Sequence, residues 1–241
     1  MTMRAATATT AATDAIAAAR AAGRAALDEH AGKALLAAHG VRVPRSVVVP
    51  VGNDPVAALA GLTPPWVVKV MSPEILHKSD VGGVRVGVAT PAEVVAVIGE
   101  MAARPGIAGR RLDGFLVEEM APKGVEVVVG GVRDPQFGPL VMVGLGGIFV
   151  EVLKDVAFRI CPITRLDAEE MLAELRGAPL LEGARGGMVV SKDAIVDVLL
   201  RMGGADGLLL CHADAICEAD INPLIVSETG AVAVDARFIL A

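Results

Sequence analysis

The chain has 241 residues, with 22 Lys and Arg against 28 Asp and Glu, so its formal net charge is −6. A composition of 54% hydrophobic and 21% charged residues is typical of a folded globular protein and excludes disorder for most of the length. An acidic chain with five Phe, one Trp and no Tyr lacks the basic and aromatic surface of a nucleic-acid binder.

Membrane insertion and disulfide bonding are not indicated either. The longest uncharged apolar stretch, from Phe137 to Val150, is shorter than the ~18 to 20 residues that span a bilayer. Cys161, Cys211 and Cys217 are odd in number and form no CxxC pair, which favours a reducing cytoplasm. Residues 1–24 are rich in Ala and Thr, have no apolar secretion signal and predict a flexible, weakly helical tail.

Hydrophobic patterns predict alternating helices and strands in the first half of the chain. An amphipathic helix over 26–39 ends at Gly40, and a second helix begins at Pro91 and runs to about Ala103. The remaining predictions in this half are a helical piece near 54–60 and strands over 46–50, 66–70, 84–88 and 114–119.

The second half predicts strands over 125–131, 139–143, 215–220, 224–227 and 231–236, and helices over 167–175 and 191–202. Neighbouring strands such as GFLVEE and VEVVVGG are separated by only a few residues, which favours hairpins and antiparallel pairing. The predicted fold class is therefore α+β.

The most polar segment runs from Lys69 to Gly83 and follows a strand that reads as buried. Its glycines, Gly82 and Gly83, would let backbone N–H groups turn toward an anion, and Lys69 would supply positive charge. His77 is the best candidate nucleophile, because a largely neutral imidazole can attack phosphorus. An ordinary Gly-Ser loop explains the same residues equally well.

A second polar group lies near the C-terminal end. Asp220, Asn222 and Asp235 frame a predicted hairpin and offer the hard oxygen ligands that Mg²⁺ prefers. Turn-forming residues of a hairpin are the plain alternative. Three acids lie on or beside strands, where they either bind ribose hydroxyls or face solvent: Glu118, Glu119 and Glu126.

Five motifs, taken in this order, resemble the ATP-grasp subunit of ADP-forming acyl-CoA synthetases of the acetate–CoA ligase type: LLAAHGVRVP, VVKVMSPEILHKSDVGGV, LVEEMAPKGVEVVVGGVRDPQFGPLVMVGLGG, LLEGARGG and DINPLIV. The resemblance covers about residues 26–237 and extends more distantly to the β subunit of succinyl-CoA synthetase. It implies an ATP-grasp fold with a smaller nucleotide-binding lobe over 44–118 and a larger lobe formed by 25–43 with 119–241.

The activity implied by the resemblance interconverts ATP, a carboxylate and CoA with ADP, phosphate and acyl-CoA through a phosphohistidine. CoA would be bound by a partner α subunit, in an α2β2 assembly. Lys69 matches the lysine at the nucleotide phosphates, Gly82 and Gly83 match the loop that covers them, and His77 matches the phosphorylated histidine.

The resemblance also assigns the remaining candidates. Glu118 and Glu126 match acids around adenine and ribose, and the stretch of Glu119, Met120 and Ala121 matches the adenine-pairing hinge. Asn222 and Asp235 match the Mg²⁺ ligands. Asp220 stands where relatives often have Glu in an E-x-N-P motif, so a catalytic carboxylate that positions phosphohistidine would be one methylene shorter here.

Two rival functions use the same nucleotide site. An ATP-grasp ligase that joins a carboxylate to an amine through an acyl phosphate needs no phosphohistidine. A regulatory subunit would bind Mg-ATP without turnover, but the presence of all the expected ligands counts against that hypothesis.

Overall fold

The computed structural model describes residues 14–75, 77–147 and 153–241. The chain divides into two compact units: a small unit, Pro44–Ala121, and a large unit that joins the residues before it to Pro122–Ala241. No helix among the described residues is both long and apolar enough to span a membrane.

The helices, in chain order, are α1 (residues 14–21), α2 (Glu29–Ala38), α3 (Pro91–Ala102), α4 (Arg165–Glu174), α5 (Lys192–Gly203) and α6 (Leu208–Cys211). The strands are β1 (Ser46–Val49), β2 (Trp66–Met71), β3 (Val84–Val88), β4 (Gly114–Glu119), β5 (Val125–Asp134), β6 (Gly138–Leu145), β7 (Val156–Ile160), β8 (Ile216–Ser227), β9 (Gly230–Ala233) and β10 (Arg237–Leu240).

The small unit is a four-stranded antiparallel sheet in the order β1-β4-β2-β3, with α3 packed on one face. Helix α3 begins as the sequence predicts, with Pro91 in the first turn and the Thr90 side chain accepting from the Glu93 N–H. Successive strand residues point to opposite faces. Trp66, Val68 and Val70 therefore join the core with α3, and Lys69 lies on the other face.

The helical piece predicted near 54–60 is wrong, because residues 55–61 form a series of turns. The Leu59 N–H donates to the Pro55 carbonyl four residues back, but the Ala60 N–H donates only three residues back, to Ala57, so no regular α-helix continues. Gly61, at φ +89°, then ends the segment in a left-handed conformation.

The large unit is built on a second antiparallel sheet in the order β10-β8-β5-β6-β7, with β9 paired to β8. Its first face packs against α2, α4, α5 and α6 through residues such as Val127, Val129 and Val141. The alternate residues of the same strands form a second face, which holds the polar candidates described below. The antiparallel α+β architecture confirms the predicted fold class.

Three features of the large unit differ from the sequence predictions. Residues 14–21 are helical, with Ile16 and Ala19 buried in the core, where the sequence predicts part of a flexible tail; residues 1–13 lie outside the described residues. The two strands predicted over 215–220 and 224–227 are one strand, β8, interrupted by a register shift opposite Val127 and Val129. Strands β7 and β10 were not predicted.

Two histidines outside the candidate site, His39 and His212, meet in the large unit. The Nε2 atoms of His39 and His212 are 3.1 Å apart, and the rings stack edge to face. Burial, followed by the charge of His212, lowers the pKa of His39 to about 4. Both imidazoles are therefore neutral near pH 7, and one ring nitrogen donates to the other.

Candidate active site

A buried ion pair lies on the face of the small-unit sheet opposite α3. The Nζ of Lys69 on β2 is 2.6 Å from Oε1 of Glu118 on β4, and the two side chains are 7% and 1% exposed. The strand register places them diagonally, because Lys69 is paired with Leu116 and Glu118 with Val67. The fold thus holds one predicted phosphate-binding residue against one predicted nucleotide-binding acid.

Glu119 follows Glu118 on the same strand and consequently points to the opposite face. Its Oε1 accepts from the Thr63 N–H at 2.8 Å and from Arg45 at 3.2 Å, so the side chain anchors the unit's own backbone. In the predicted hinge the N–H groups of Glu119 and Met120 donate to the carbonyls of Arg45 and Pro65. Pairing with an adenine edge would therefore use the carbonyls of this stretch or the Ala121 N–H.

The segment after β2 forms a turn over residues 78–82, with the His77 side chain exposed directly before it. The N–H groups of Gly82 and Gly83 donate to the carbonyls of Ser79 and Lys78, at 3.0 and 2.7 Å. These two amides therefore close the turn in this conformation. Phosphate binding by them would require the turn to open.

Arg104 is a cation that the sequence analysis missed. Its guanidinium lies against Cα of Gly82, in the space that a side chain would fill. The residue follows α3 and no sequence motif surrounds it, so only the tertiary structure reveals its position. A positive charge thus lies beside the glycine turn, as anion binding there requires.

The predicted metal ligands lie on the second face of the large-unit sheet. Asp220 and Asn222 are two residues apart on β8 and so share that face. The Val234 N–H donates to the Pro223 carbonyl, which places Asp235 across from Asn222 at the end of the β8–β9 hairpin. The structure brings together the three oxygen-bearing residues that the sequence separates.

The electrostatics of this group favour a bound cation. Burial, then the carboxylates of Glu218 and Asp235, raise the pKa of Asp220 to about 6, and Arg237 only partly opposes them. A divalent cation would relieve this crowding of negative charge. Glu218 was missed by the sequence analysis, although the spacing Glu-x-Asp-x-Asn in one strand predicts a shared face.

The ligand types fit Mg²⁺ better than a soft metal. Among the described residues no three His, Cys, Asp or Glu side chains are grouped closely enough to hold a metal by themselves. One amide and one or two carboxylates are nevertheless what Mg²⁺ commonly takes from a protein, because water and phosphate oxygens complete its octahedron.

Glu126 lies apart from this group. It is exposed on β5, four residues before Gly130, and Gly130 is the partner of Asp220 in the register. This spacing corresponds to about 13 Å along the strand. Its backbone carbonyl accepts from the Gly146 N–H at 2.8 Å, and a Cβ on Gly146 would meet the Glu126 Cβ at 2.8 Å.

Comparison with known proteins identifies the family to which this arrangement belongs. A model of the ATP-grasp domain matches residues 18–240. The chain belongs to the ATP-grasp family.

Relatives within the ATP-grasp family define the type. The chain is 42% identical over 216 residues to the β subunit of ADP-forming acetate–CoA ligase I of Pyrococcus furiosus, covering 89% of this chain and 91% of that subunit. It is 41% identical to the ADP-forming acetate–CoA ligase II of Archaeoglobus fulgidus, covering 88% of this chain but only 30% of that longer protein.

A solved structure agrees with these relatives. Acetyl-coenzyme A synthetase 1 of Ca. Korarchaeum cryptofilum, in complex with coenzyme A and Mg-AMPPCP and with a phosphohistidine segment pointing towards the nucleotide binding site, matches with a TM-score of 0.82 and 39% identity. The match covers 95% of this chain and 100% of that chain. The chain is thus a β-type ATP-grasp subunit of the ADP-forming acyl-CoA synthetases, a ligase family, which confirms the resemblance in the sequence.

Substituting Gly83 by alanine tests why this ATP-grasp chain needs glycine in the turn. A Cβ there would lie 2.5 Å from Cγ1 of Val70 and 3.0 Å from the Lys78 carbonyl, so we expect Gly83→Ala to lower the free energy of unfolding by about 1–3 kcal/mol. Gly99→Ala is the control: its Cβ meets nothing within 4 Å on α3, and alanine favours a helix by up to ~1 kcal/mol. Equal urea midpoints for Gly83→Ala and wild type would contradict the packing explanation.

Substituting Asp220 by asparagine should stabilise the metal-free ATP-grasp subunit. A carboxyl whose folded pKa is about 6, above its ordinary 3.8, disfavours folding as the pH rises through that window. We therefore expect Asp220→Asn to be about 1–2 kcal/mol more stable than wild type at pH 7.5, and the difference to vanish below about pH 4. Urea unfolding in EDTA at several pH values measures this; a variant that is no more stable at pH 7.5 would contradict it.

Proposed function

We propose that the chain is the nucleotide-binding subunit of an enzyme that converts ATP, a carboxylate and CoA to ADP, phosphate and acyl-CoA, and that His77 relays the phosphoryl group. The observation that supports this most directly is the exposed His77 imidazole, directly before the glycine turn and a few residues after the strand that holds Lys69. In this proposal the small unit is the smaller, nucleotide-binding lobe predicted over 44–118. The large unit is the larger lobe predicted over 25–43 with 119–241.

In the first step, one imidazole nitrogen of His77 attacks the γ-phosphorus of ATP. The bond from that phosphorus to the β–γ bridging oxygen breaks and ADP departs with the electron pair, while the ring keeps its N–H opposite the new N–P bond, which leaves a phosphohistidine. Lys69 and Arg104 supply positive charge to the phosphate oxygens during transfer. The Glu118 carboxylate, 2.6 Å from Nζ, fixes the direction of Lys69.

Asn222 and Asp235 are the residues that would hold Mg²⁺. The ion supplies charge neutralisation on the nucleotide phosphates. Asp220 lies on the same face of the large-unit sheet as Asn222 and, once its proton is lost, can accept a hydrogen bond from the N–H of a phosphohistidine ring. That contact would orient the ring during transfer.

The remaining chemistry belongs to a partner. In this proposal a CoA-binding α subunit takes the phosphoryl group from His77, forms the acyl phosphate and passes the acyl group to the CoA thiol. The assembly is α2β2 and cytoplasmic. The Archaeoglobus relative, of which this chain matches 30%, has ample further length for such a region within one polypeptide.

Reconstitution tests the function. Purified chain is incubated with the α-type subunit encoded in the same genome, Mg-ATP, CoA and a panel of short carboxylates, and acyl-CoA, ADP and AMP are quantified. Equimolar acyl-CoA and ADP without AMP are expected. Formation of AMP, or no thioester with any carboxylate from an assembled complex, would overturn the proposal.

The same reaction mixture distinguishes the two rivals. A carboxylate–amine ligase would form ADP and an amide when an amine replaces CoA, and would keep that activity after replacement of His77. A regulatory subunit would bind Mg-ATP with neither ADP formation nor label on the protein. Neither result is expected if His77 relays the phosphoryl group.

A further inference from the structure

The second face of the large-unit sheet is apolar on its β6–β7 side. Residues that are paired across β5, β6 and β7 form rows that run perpendicular to the strands. One row consists of Gly130, Met142 and Phe158, and the next row consists of Val132, Leu140 and Ile160. Directly paired residues share a face. We call the five apolar members of these rows the β6–β7 patch: Val132, Leu140, Met142, Phe158 and Ile160.

The patch is exposed to an extent unusual for side chains of this size. Phe158, Ile160 and Val132 are 50%, 51% and 41% exposed, and Leu140 and Met142 are half-buried. In the described part of the chain no charged residue is paired with Leu140, Met142, Phe158 or Ile160, and Glu218, the partner of Val132 on β8, borders the patch. Contiguous exposed apolar surface of this kind, including an aromatic ring, is typical of protein interfaces.

Strand β7 has the reverse of the polarity expected for a solvent-facing edge. Its one charged residue, Arg159, points to the helix side, where its guanidinium pairs with Glu174 of α4. Phe158 and Ile160 point away from the helices. β7 is also the last strand of the sheet and is paired only with β6 in the described part of the chain. Surface strands usually place polar residues outward and protect such an edge.

The patch continues the face that holds the candidate metal ligands. The row through Met142 and Phe158 runs in the other direction through Gly130 to Asp220 and then Arg237. A protein seated on the β6–β7 patch would therefore lie beside Asp220 on one continuous sheet face. A partner that exchanges a phosphoryl group at the candidate Mg²⁺ site on this face needs such a position.

We propose that the β6–β7 patch is the docking surface for the CoA-binding α-type subunit, an inference that rests on the proposed function. The Pyrococcus relative, matched over 91% of its length, is named a β subunit, so a chain of this size works with a separate partner in that enzyme. The Archaeoglobus relative is over three times the matched length and joins further polypeptide to the same domain. The matching partner surface would be apolar, with Phe158 inserted in a pocket.

Charge insertion into the patch tests the proposal. Phe158→Lys and Ile160→Lys are each mixed with the α-type subunit from the same genome, and Kd is measured by sedimentation or interferometry. We expect each to weaken the complex by at least 10-fold. Leu166→Lys is the matched control, because Leu166 is 64% exposed on α4, on the helix side of the sheet, and should leave Kd within about twofold.

Two further measurements keep the outcomes separable. Thermal unfolding and Mg-ADP affinity, measured on the chain alone, should be the same in all variants, which excludes misfolding as the cause of lost assembly. If wild type and every variant bind the α-type subunit alike, the docking surface is wrong and the proposed function stands. If the wild-type chain forms no complex with that subunit, or if the patch variants instead abolish self-association, the docking proposal is overturned.

Discussion

Replacing His77 with asparagine should abolish labelling of the chain by γ-³²P-ATP. The asparagine amide keeps a hydrogen-bonding nitrogen near one ring position but cannot accept a phosphoryl group from ATP. Acyl-CoA formation in the reconstituted complex should fall at least about 10³-fold, because a relay without its carrier has no covalent route. Acid-labile, base-stable label on wild type, measured by gel and scintillation counting, identifies the phosphohistidine.

Nucleotide binding separates this effect from damage to the site. His77 is exposed, so its replacement should leave the thermal midpoint unchanged and the Kd for Mg-ADP within about threefold. His30→Asn is the matched control, because His30 is also exposed but lies on α2 in the large unit. It should label like wild type. Full synthetase activity in His77→Asn would show that another residue, or direct acyl-phosphate formation, does the chemistry.

Local patterns in the sequence were sufficient to predict most elements and the fold class. Each successful prediction depends on only a few neighbouring residues. Examples are the Thr90-Pro91 cap, the β-branched runs of β2 and β4, and the short links between strands. The piece near 54–60 was wrong because a few alanines have too little helical preference to form a helix in so short a segment, which ends at Gly61 in a left-handed conformation. Strand β7 was missed although Phe158 and Ile160 alternate with Ala157 and Arg159.

Pairings across the fold could not be read from the sequence. Nothing in the segment WVVKV indicates that Lys69 meets Glu118 across β4, since that contact depends on strand order and register. The position of Arg104 at Gly82 likewise depends on how α3 packs. The hairpin that joins Asn222 to Asp235 was predictable, because its two strands are neighbours in sequence.

The two glycines of the turn, Gly82 and Gly83, have a structural role as well as the proposed phosphate-binding role. Gly82 has φ of +66°, and Gly83 leaves no room for a Cβ beside Val70, so the turn demands both glycines for structural reasons. The same turn begins directly after His77 and lies against Arg104 at Gly82. The structural need for glycine therefore does not argue against a phosphate-binding role, and only substitutions that separate stability from activity decide the matter.

Replacing Lys69 with methionine should be strongly destabilising. It leaves the Glu118 carboxylate, 1% exposed, without the ammonium 2.6 Å away, and breaking a buried pair in this way costs about 3–5 kcal/mol in the free energy of unfolding. Urea unfolding measures the loss. The double variant Lys69→Met/Glu118→Leu should return to within about 1 kcal/mol of wild type, because well-packed apolar side chains commonly replace a buried ion pair without loss of stability.

In the double variant Lys69→Met/Glu118→Leu, the free energy of unfolding should recover but phosphoryl transfer to His77 should not. If Lys69 neutralises the transferring phosphoryl group, label transfer to His77 stays at least about 10²-fold below wild type even though the small unit is folded. The second buried pair of the described residues, Lys33 with Glu29 on α2 at 2.8 Å, provides the control. Lys33→Met should destabilise similarly, and Lys33→Met/Glu29→Leu should recover both stability and labelling. Recovery of labelling in the Lys69 double variant would reduce the Lys69–Glu118 pair to a structural role and leave Arg104 as the cation to be tested at the nucleotide phosphates.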